Sequence, residues 1–201
     1  MTDTFLDKAY GARDARSTRK LYDDWAASYE AELGENGYAT PGRCAAALAE
    51  FSKDKSAPIL DFGCGTGLSG LALKLAGFDA IDGVDLSADM IAQAGDKGVY
   101  RSLNQIEAGD DPSEGYAAIA AIGVIGAGAA PIAVFDQIMN ALGPGGLFVF
   151  SFNDHALEDP ANEARLQDWT DCGAAHLLFR ELGDHIPGID LKAMVYVLEK
   201  T

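Results

Sequence analysis

The sequence predicts an α/β fold with a single doubly wound, mostly parallel sheet that is covered by helices on both faces. Short apolar segments alternate with helical segments through the middle of the chain, which is typical of such a sheet. The apolar segments show no polar alternation, as expected for strands buried on both faces. The chain has 201 residues, of which 48% are hydrophobic, enough for one domain with one core.

The first 53 residues are predicted to form a helical N-terminal lid. An apolar residue recurs every fourth position along one helical face, at Leu21, Trp25, Tyr29 and Leu33. Pro41 suits the first turn of a second helix, "PGRCAAALAEF". A short polar link then leads into the alternating segments.

The alternating part begins with the apolar segment "APILDF", which predicts the first strand. A helix, "LSGLALKLAG", is expected to stop at Gly77, and "DAIDGVD" is the second strand. Ser87 is a plausible N-cap for the next helix, "SADMIAQAG". The segment "VYRSL" predicts a third strand.

The second half of the chain continues the alternation of strands and helices. "YAAIAAI" and "LFVFSF" predict the fourth and fifth strands, with the helix "APIAVFDQIMNAL" between them. Pro160 suits the first turn of a further helix. The final strands, "AHLLFREL" and "LKAMVYVLE", are joined by the short link "GDHIPGID", which permits only antiparallel pairing.

Charge and cysteine content limit the partners. Lys and Arg number 15 against 31 Asp and Glu, a net charge of −16 that opposes binding to nucleic acid or to anionic membranes. The three cysteines lack metal-like spacing, so neither a disulfide framework nor a metal site is expected. The chain start lacks the apolar core of a signal peptide, and glycine and proline interrupt the longest apolar stretch. We therefore expect a soluble, cytoplasmic protein.

The segment "ILDFGCGTGLSG", residues 59–70, is the strongest candidate for a ligand site. Gly65-x-Gly67-x-x-Gly70 fits the dinucleotide-binding pattern, and Asp85 follows Gly65 by 20 residues. An acid at the strand end, Asp61, disfavours a pyrophosphate because like charges would face each other. In addition, only one mononucleotide-binding half is evident, and no separate substrate domain follows.

A ligand without phosphate suits the same residues. S-Adenosylmethionine carries a sulfonium and an ammonium group, so a carboxylate such as Asp61 favours its binding. Asp85 can accept hydrogen bonds from both ribose hydroxyls. The glycines allow the backbone to approach a nucleoside closely.

Three segments, "ILDFGCGTG", "GVDLSADMIAQA" and "LGPGGLFVFS", resemble those of class I S-adenosylmethionine-dependent methyltransferases. The lead-in "LYDDWAASYEAELGENGYATP" and the tail resemble the small Williams–Beuren-region-like members. The resemblance implies a Rossmann-like methyltransferase fold: seven strands, with the last strand antiparallel. It implies one domain over residues 1–201, with a lid (1–53), a cofactor-binding core (58–152) and a substrate-side segment (153–201).

The resemblance also assigns residues to the cofactor. An aromatic residue from the first helix, Tyr29 or Trp25, would close over the methionine end or belong simply to the core stripe. Leu86 and Met90 lie against adenine, and Asp85 binds ribose. The residue after the third strand that contacts adenine stays open among Asn104, Gln105 and Glu107. The methionine portion is surrounded by Asp61, Gly63, Cys64, Gly65, Thr66 and Gly67.

The acceptor side carries fewer signals. The segment after the fourth strand lacks both an Asp/Asn-Pro-Pro-aromatic motif and a metal-binding acid, so we expect no metal and a small apolar pocket near 123–128. His155 is the best candidate for a general base, the alternative being a solvated or capping loop histidine. His185 could reach the rim of the site, and Tyr38 could belong to the lid.

The sequence thus predicts transfer of a methyl group from S-adenosylmethionine to a small-molecule acceptor by direct displacement. A module that binds the cofactor or a partner without turnover is the alternative. A nicotinamide-dependent oxidoreductase is less favoured because it needs glycines that face phosphates, which Asp61 at the strand end opposes. The acceptor atom and the oligomeric state stay open.

Overall fold

The computed structural model of the protein describes residues 33–34, 36–126 and 129–201. The predicted first helix, including Tyr29 and Trp25, lies outside the described residues apart from Leu33 and Gly34. Helices alternate with strands as the sequence indicates. The helices are α1 (Thr40–Phe51), α2 (Leu68–Leu75), α3 (Ala88–Asp96), α4 (Ala133–Ala141), α5 (Asp154–Leu157) and α6 (Pro160–Asp171). The strands are β1 (Ile59–Phe62), β2 (Ile81–Asp85), β3 (Ser102–Gln105), β4 (Ala118–Ala121), β5 (Leu147–Asn153), β6 (Ala175–Ile186) and β7 (Leu191–Lys200).

Within the described ranges, the seven strands form one sheet in the order β3-β2-β1-β4-β5-β7-β6. The first five strands pair in parallel, and β7 pairs antiparallel with both β5 and β6. The predicted fold class is therefore confirmed. The strand order reverses between β1 and β4, and ligands of doubly wound sheets bind at the carboxyl ends of the strands at such a point.

Each face of the sheet carries its own apolar layer. On one face, aromatic side chains of β5 pack with α4 and β7, and the rings of Phe150 and Tyr196 stack with centroids 4.8 Å apart. On the other face, Leu48 of α1 and Leu73 of α2 are fully buried against the central strands. These layers hold the strands in place and so position the loops at the strand ends.

Three local predictions differ from the structure. The strand predicted at "VYRSL" begins only at Ser102 and continues to Gln105, so Asn104 and Gln105 lie in β3 and not after it. β3 is an edge strand, where exposed polar residues are tolerated, and the apolar pattern therefore misplaced it. β6 runs on through the first half of the predicted "GDHIPGID" link to Ile186, because its pairing with β7 continues past a register shift.

The third difference is α5, where the sequence indicated only a loop. The Asn153 side chain accepts a hydrogen bond from the Ala156 backbone N–H and caps this single turn. No helix in the described part of the chain is long and apolar enough to cross a bilayer.

Replacing Phe150 by Ala should lower the free energy of unfolding by about 3–5 kcal/mol, because it opens a cavity in the fully buried aromatic layer. Leu75→Ala is the control, since the Leu75 side chain is 81% exposed and its loss should change stability by less than about 0.5 kcal/mol. Urea denaturation of both variants measures the difference. Equal effects would contradict the description of the core.

Candidate functional site

The glycine loop joins β1 to α2 at the carboxyl end of the sheet. Gly63, Gly65 and Gly67 all have left-handed backbone conformations, with φ of 72°, 53° and 93°. The Gly63 and Cys64 N–H groups donate to the Val84 carbonyl oxygen at 2.8 and 3.0 Å, which folds the loop over the end of β2. The sequence therefore uses glycine because this turn requires positive φ.

The surroundings of two of these glycines differ. A β-carbon on Gly63 would lie 2.5 Å from Cγ2 of Val124, in the loop after β4. A β-carbon on Gly65 would meet no atom within 4 Å. Gly63 thus fits the glycine loop against the loop after β4, while Gly65 faces open space into which a ligand can approach.

Asp61 lies at the end of β1 and is fully buried. Its Oδ2 accepts hydrogen bonds from Ser69 Oγ at 2.6 Å and from the Tyr100 hydroxyl at 2.7 Å. Its Oδ1 has no hydrogen-bond partner, and no Lys or Arg of the described residues pairs with it. Burial raises the pKa of this carboxyl to about 6, the two hydrogen bonds oppose the rise, and the charge of Asp85 adds to it.

Asp82, beside Leu60 in the neighbouring strand, shows the opposite arrangement. It pairs with the Arg101 guanidinium and accepts hydrogen bonds from Ser102 and from the Tyr116 hydroxyl. Burial alone would raise the pKa of Asp82, but these partners outweigh burial and lower it. One strand acid is therefore paired with a guanidinium, whereas the other has two hydroxyl donors and no Lys or Arg partner among the residues described.

Asp85 ends β2 and ties the glycine loop to the start of α3. One carboxylate oxygen accepts from the Gly65 backbone N–H and the other from the Ser87 N–H, both at 2.9 Å. The carboxylate therefore lies beside the open side of Gly65.

The residues assigned to adenine lie along the same edge. Ser87 caps α3 by accepting from the Met90 N–H, and Met90 is buried. The Gln105 side-chain amide donates to the Leu86 carbonyl oxygen at 2.9 Å, which fixes the end of β3 beside the start of α3. Asn104 is exposed and pairs with Val84 in the sheet.

Cys64 and Thr66 point inward from the loop. The Cys64 thiol is buried beside Gly83, and burial raises its pKa well above the usual range, as do the charges of Asp61 and Asp85. A thiol in this state is a packing group. The Thr66 hydroxyl is buried without a hydrogen-bond partner among the described residues.

The loop after β4 connects this glycine loop with a second group of side chains. The Gly123 N–H donates to Ser151 Oγ of β5 at 3.0 Å, and the Tyr38 hydroxyl lies 2.8 Å from the position of a β-carbon on Gly123. Val124 contacts Gly63 of the glycine loop, and the preceding residue, Gly123, lies against Tyr38. The glycine loop and Tyr38 therefore approach adjacent residues of the loop after β4. Hydroxyl groups of Ser151 and Tyr38 therefore lie against the segment where an apolar pocket was predicted, and residues 127–128 of that segment lie outside the described residues.

His185 packs against the ring of Tyr38. The two rings meet edge to face with centroids 5.3 Å apart, and His185 Nδ1 lies 2.7 Å from Thr40 Oγ1 of α1. Burial lowers the pKa of His185 to about 4; the charge of Asp154 opposes this, and Arg43 and His155 add to it. The imidazole is therefore neutral at physiological pH.

His155 is half-buried on the one-turn helix α5, directly after the carboxyl end of β5. Its charge influences His185, so the two histidines lie on the same side of the site.

Sequence analysis missed Tyr100, Ser69 and Thr40. Two further glycines, Gly70 and Gly83, were the available signal for Tyr100, whose ring fills the space beside both.

Two features of the described residues lie apart from this site. A cavity of about 420 Å³ opens at the opposite end of the sheet, beside Pro58 and Ala117 at the amino ends of β1 and β4. Ligands of this architecture bind at the carboxyl ends, so this cavity is not the candidate. Within the described ranges, no three His, Cys, Asp or Glu side chains converge as metal ligands.

Comparison with known proteins agrees with this geometry. A family profile described as a methyltransferase domain matches residues 37–200. Human methyltransferase-like protein 27 is 32% identical over 145 residues, which are 69% of this chain and 59% of the human protein. The chain therefore spans less than two thirds of that relative's length.

Solved structures share the fold at low identity. One is a chain from the complex between the Haloferax volcanii Trm112 methyltransferase activator and a methyltransferase, with a TM-score of 0.66, 16% identity, and coverage of 94% of this chain and 99% of that one. Another is an S-adenosylmethionine-dependent methyltransferase from Mesorhizobium loti, with a TM-score of 0.57, 16% identity, and coverage of 77% and 96%. At such identity these likenesses concern the fold alone.

The sheet order and the glycine loop after β1 fit a class I methyltransferase domain. With the family profile covering most of its length, the chain belongs to the S-adenosylmethionine-dependent methyltransferase family. S-Adenosylmethionine is the cofactor of this class.

The residues present fit that cofactor. Within the part of the chain that the structure describes, Asp61 is a buried carboxylate with one unpartnered oxygen and no Lys or Arg beside it, which favours a cation such as a sulfonium or ammonium nearby and disfavours a diphosphate. Asp61 has no exposed surface, so a ligand in the crevice meets its charge through the loop. Gly65 leaves room for a nucleoside beside Asp85.

Replacing Gly65 by Ala should abolish binding of S-adenosylhomocysteine at modest cost in stability. The left-handed conformation costs an alanine about 1–2 kcal/mol, and its methyl group would enter the open space of the crevice. Gly173→Ala is the matched control, because Gly173 also has positive φ and free space but lies at the opposite end of the sheet, just before β6 begins. Calorimetry should show normal binding by Gly173→Ala, and equal binding by both variants would contradict the position of the crevice.

Acidification should destabilise the protein through His185. Its folded pKa of about 4 lies below the ordinary 6.5, so the unfolded chain binds the proton first and stability falls as pH drops from 6.5 to 4. The loss is up to about 1.4 kcal/mol per pH unit. His185→Gln should show a shallower slope in urea denaturation. Asp61 contributes in the opposite direction, because its protonation between pH 6 and 3.8 stabilises the folded state. This contribution is present in both proteins and cancels in the difference between their slopes. Parallel slopes would show that His185 titrates normally.

Proposed function

We propose that this protein transfers the methyl group of S-adenosylmethionine to a small-molecule acceptor by direct displacement. The observation that carries the proposal is the pairing, within one crevice, of an uncompensated buried carboxylate with an open glycine turn beside a second carboxylate. This combination supports binding of a phosphate-free, cationic nucleoside. It fits a nicotinamide dinucleotide poorly, because a diphosphate would lie near two acids.

The cofactor supplies a methyl group already activated on a sulfonium. Methyl transfer then needs the acceptor's lone pair aligned with that methyl group, so positioning by the protein supplies much of the rate. We assign the methionine end to residues 61–67, the ribose to Asp85, and adenine to Leu86, Met90, Asn104 and Gln105. Tyr29 keeps its predicted role over the methionine end.

The acceptor side is proposed to lie where the loop after β4 meets Tyr38. Gly123 is exposed there, and the Tyr38 hydroxyl offers a polar contact at its base. Burial lowers the pKa of His185 and makes its imidazole a weak proton acceptor, so we assign it to positioning the Tyr38 ring rather than to acting as a base. His155, half-buried on the neighbouring turn, is assigned as the base for acceptors that must lose a proton.

The charge of the chain supports a small acceptor. A net charge of −16, with 15 Lys and Arg against 31 acids, repels the phosphates of RNA and DNA. The same charge favours neutral or cationic metabolites. A cytoplasmic location stays a prediction from composition.

Incubation with radiolabelled S-adenosylmethionine and separated cell fractions tests the proposal. Label should move into the metabolite fraction, and Asp85→Asn should weaken S-adenosylhomocysteine binding about 10- to 100-fold, because a charged hydrogen-bond acceptor is lost. Asp79→Asn is the matched control: it removes the same charge from an exposed residue paired only with Lys74.

Each other outcome is decisive. Label in nucleic acid or protein would overturn the acceptor class and keep the enzyme class. Binding without label in any fraction would favour a cofactor-binding module without turnover. Saturable NADH binding without S-adenosylhomocysteine binding would reverse the assignment to an oxidoreductase.

A further inference from the structure

Tyr100 lies outside every segment that the sequence assigned to the site, yet it contacts the centre of that site. Its hydroxyl donates to Asp61 Oδ2 at 2.7 Å and accepts from the Gly70 backbone N–H at 3.1 Å. The hydroxyl thus links the carboxylate at the end of β1 to the first turn of α2. It belongs to the segment before β3, so one side chain joins three elements.

Two glycines make room for this side chain. A β-carbon on Gly70 would collide with the Tyr100 hydroxyl, and one on Gly83 would lie 3.0 Å from its ring. Gly70 has no left-handed conformation to explain its identity, since it is not among the positive-φ residues described. The third glycine of the apparent dinucleotide motif is therefore explained by Tyr100 and not by a pyrophosphate.

We propose that Tyr100 is a positioning residue of the cofactor site, which orients the Asp61 carboxylate and keeps it charged for a cationic ligand. This role depends on the proposed binding of S-adenosylmethionine, and it identifies the residue that controls the pH range of that binding. With no Lys or Arg of the described residues on Asp61, hydroxyl donors are what stabilise its charge. Tyr100 supplies one of the two.

The groups around Asp61 set the direction of the effect. Ser69 of α2 and Tyr100 donate to it and lower its pKa, while burial and the Asp85 charge raise it. Cys64 faces it as a neutral thiol, and its sheet neighbours in β2 and β4 are Gly83 and Ala120. Removing the Tyr100 hydroxyl therefore raises the Asp61 pKa, so that more of the carboxyl is protonated near neutral pH.

The test is calorimetric titration with S-adenosylhomocysteine, which retains the ammonium group, between about pH 5 and 8. Wild-type affinity should rise with pH around a midpoint near 6, where Asp61 ionises. Tyr100→Phe keeps the ring but should lower affinity about tenfold at neutral pH and move the midpoint upward. Asp61→Asn should bind weakly, with no midpoint of this kind.

Tyr116→Phe is the matched control. It also removes a tyrosine hydroxyl bonded to a strand carboxylate, but that carboxylate is Asp82, which keeps its Arg101 partner. Its affinity and midpoint should equal those of the wild type. Gly70→Ala displaces the Tyr100 hydroxyl from the other side and should reproduce the Tyr100→Phe profile, whereas the helical Gly95→Ala should not.

A second measurement does not need a ligand. Carboxyl carbon NMR of the unliganded protein should show a higher Asp61 pKa in Tyr100→Phe than in wild type. If wild type binds ligand and Tyr100→Phe matches it at every pH, the role of Tyr100 is overturned while the proposed function stands. If wild type binds no S-adenosylhomocysteine at all, the proposed function fails, and with it the cofactor role of Tyr100.

Discussion

A carboxylate buried without a cation is the constraint around which this site is organised. Placing Asp61 at the end of β1, out of contact with water, is unfavourable for its charged form. The chain compensates only in part, with two hydroxyl donors on one oxygen and none on the other. Asp82 shows that the same sheet can neutralise an acid when the fold has no use for its charge. The difference between these two acids is the reason for assigning Asp61 to the proposed cofactor site.

The loop after β4 joins the two halves of the site. Val124 packs against Gly63 on the cofactor side, and Gly123 accommodates the Tyr38 hydroxyl on the acceptor side. Ser151 fixes the same loop through the Gly123 N–H. Small residues here serve close approach between loops, which explains why this segment carries no charge. A change in the glycine loop or at Tyr38 therefore reaches the other through two adjacent residues, Gly123 and Val124.

Sequence patterns predicted the features that depend on local periodicity. The apolar runs predicted β1, β4 and β5, and the glycines predicted the turn between β1 and α2. The pattern failed where long-range pairing decides. β3 is a polar edge strand, β6 continues through residues with turn-like composition, and Asn153 adds a capped turn. Tyr100 and Thr40 could not be found from spacing, because each acts on a residue far away in the sequence.

The position of β7 has a consequence for how the molecule assembles. Within the described sheet β6 has no hydrogen-bonded neighbour except β7, so neither strand can join the sheet in sequence order. The two must dock as a hairpin, which Arg43 then fastens to α1 through the carbonyl oxygens of Glu181, Asp184 and Ala193. His185 belongs to that hairpin, whereas Asp61 and Asp85 belong to the parallel strands. The nucleoside side can therefore take shape ahead of the substrate side, and a folding defect in the hairpin should leave a partly folded chain that still recognises the donor molecule.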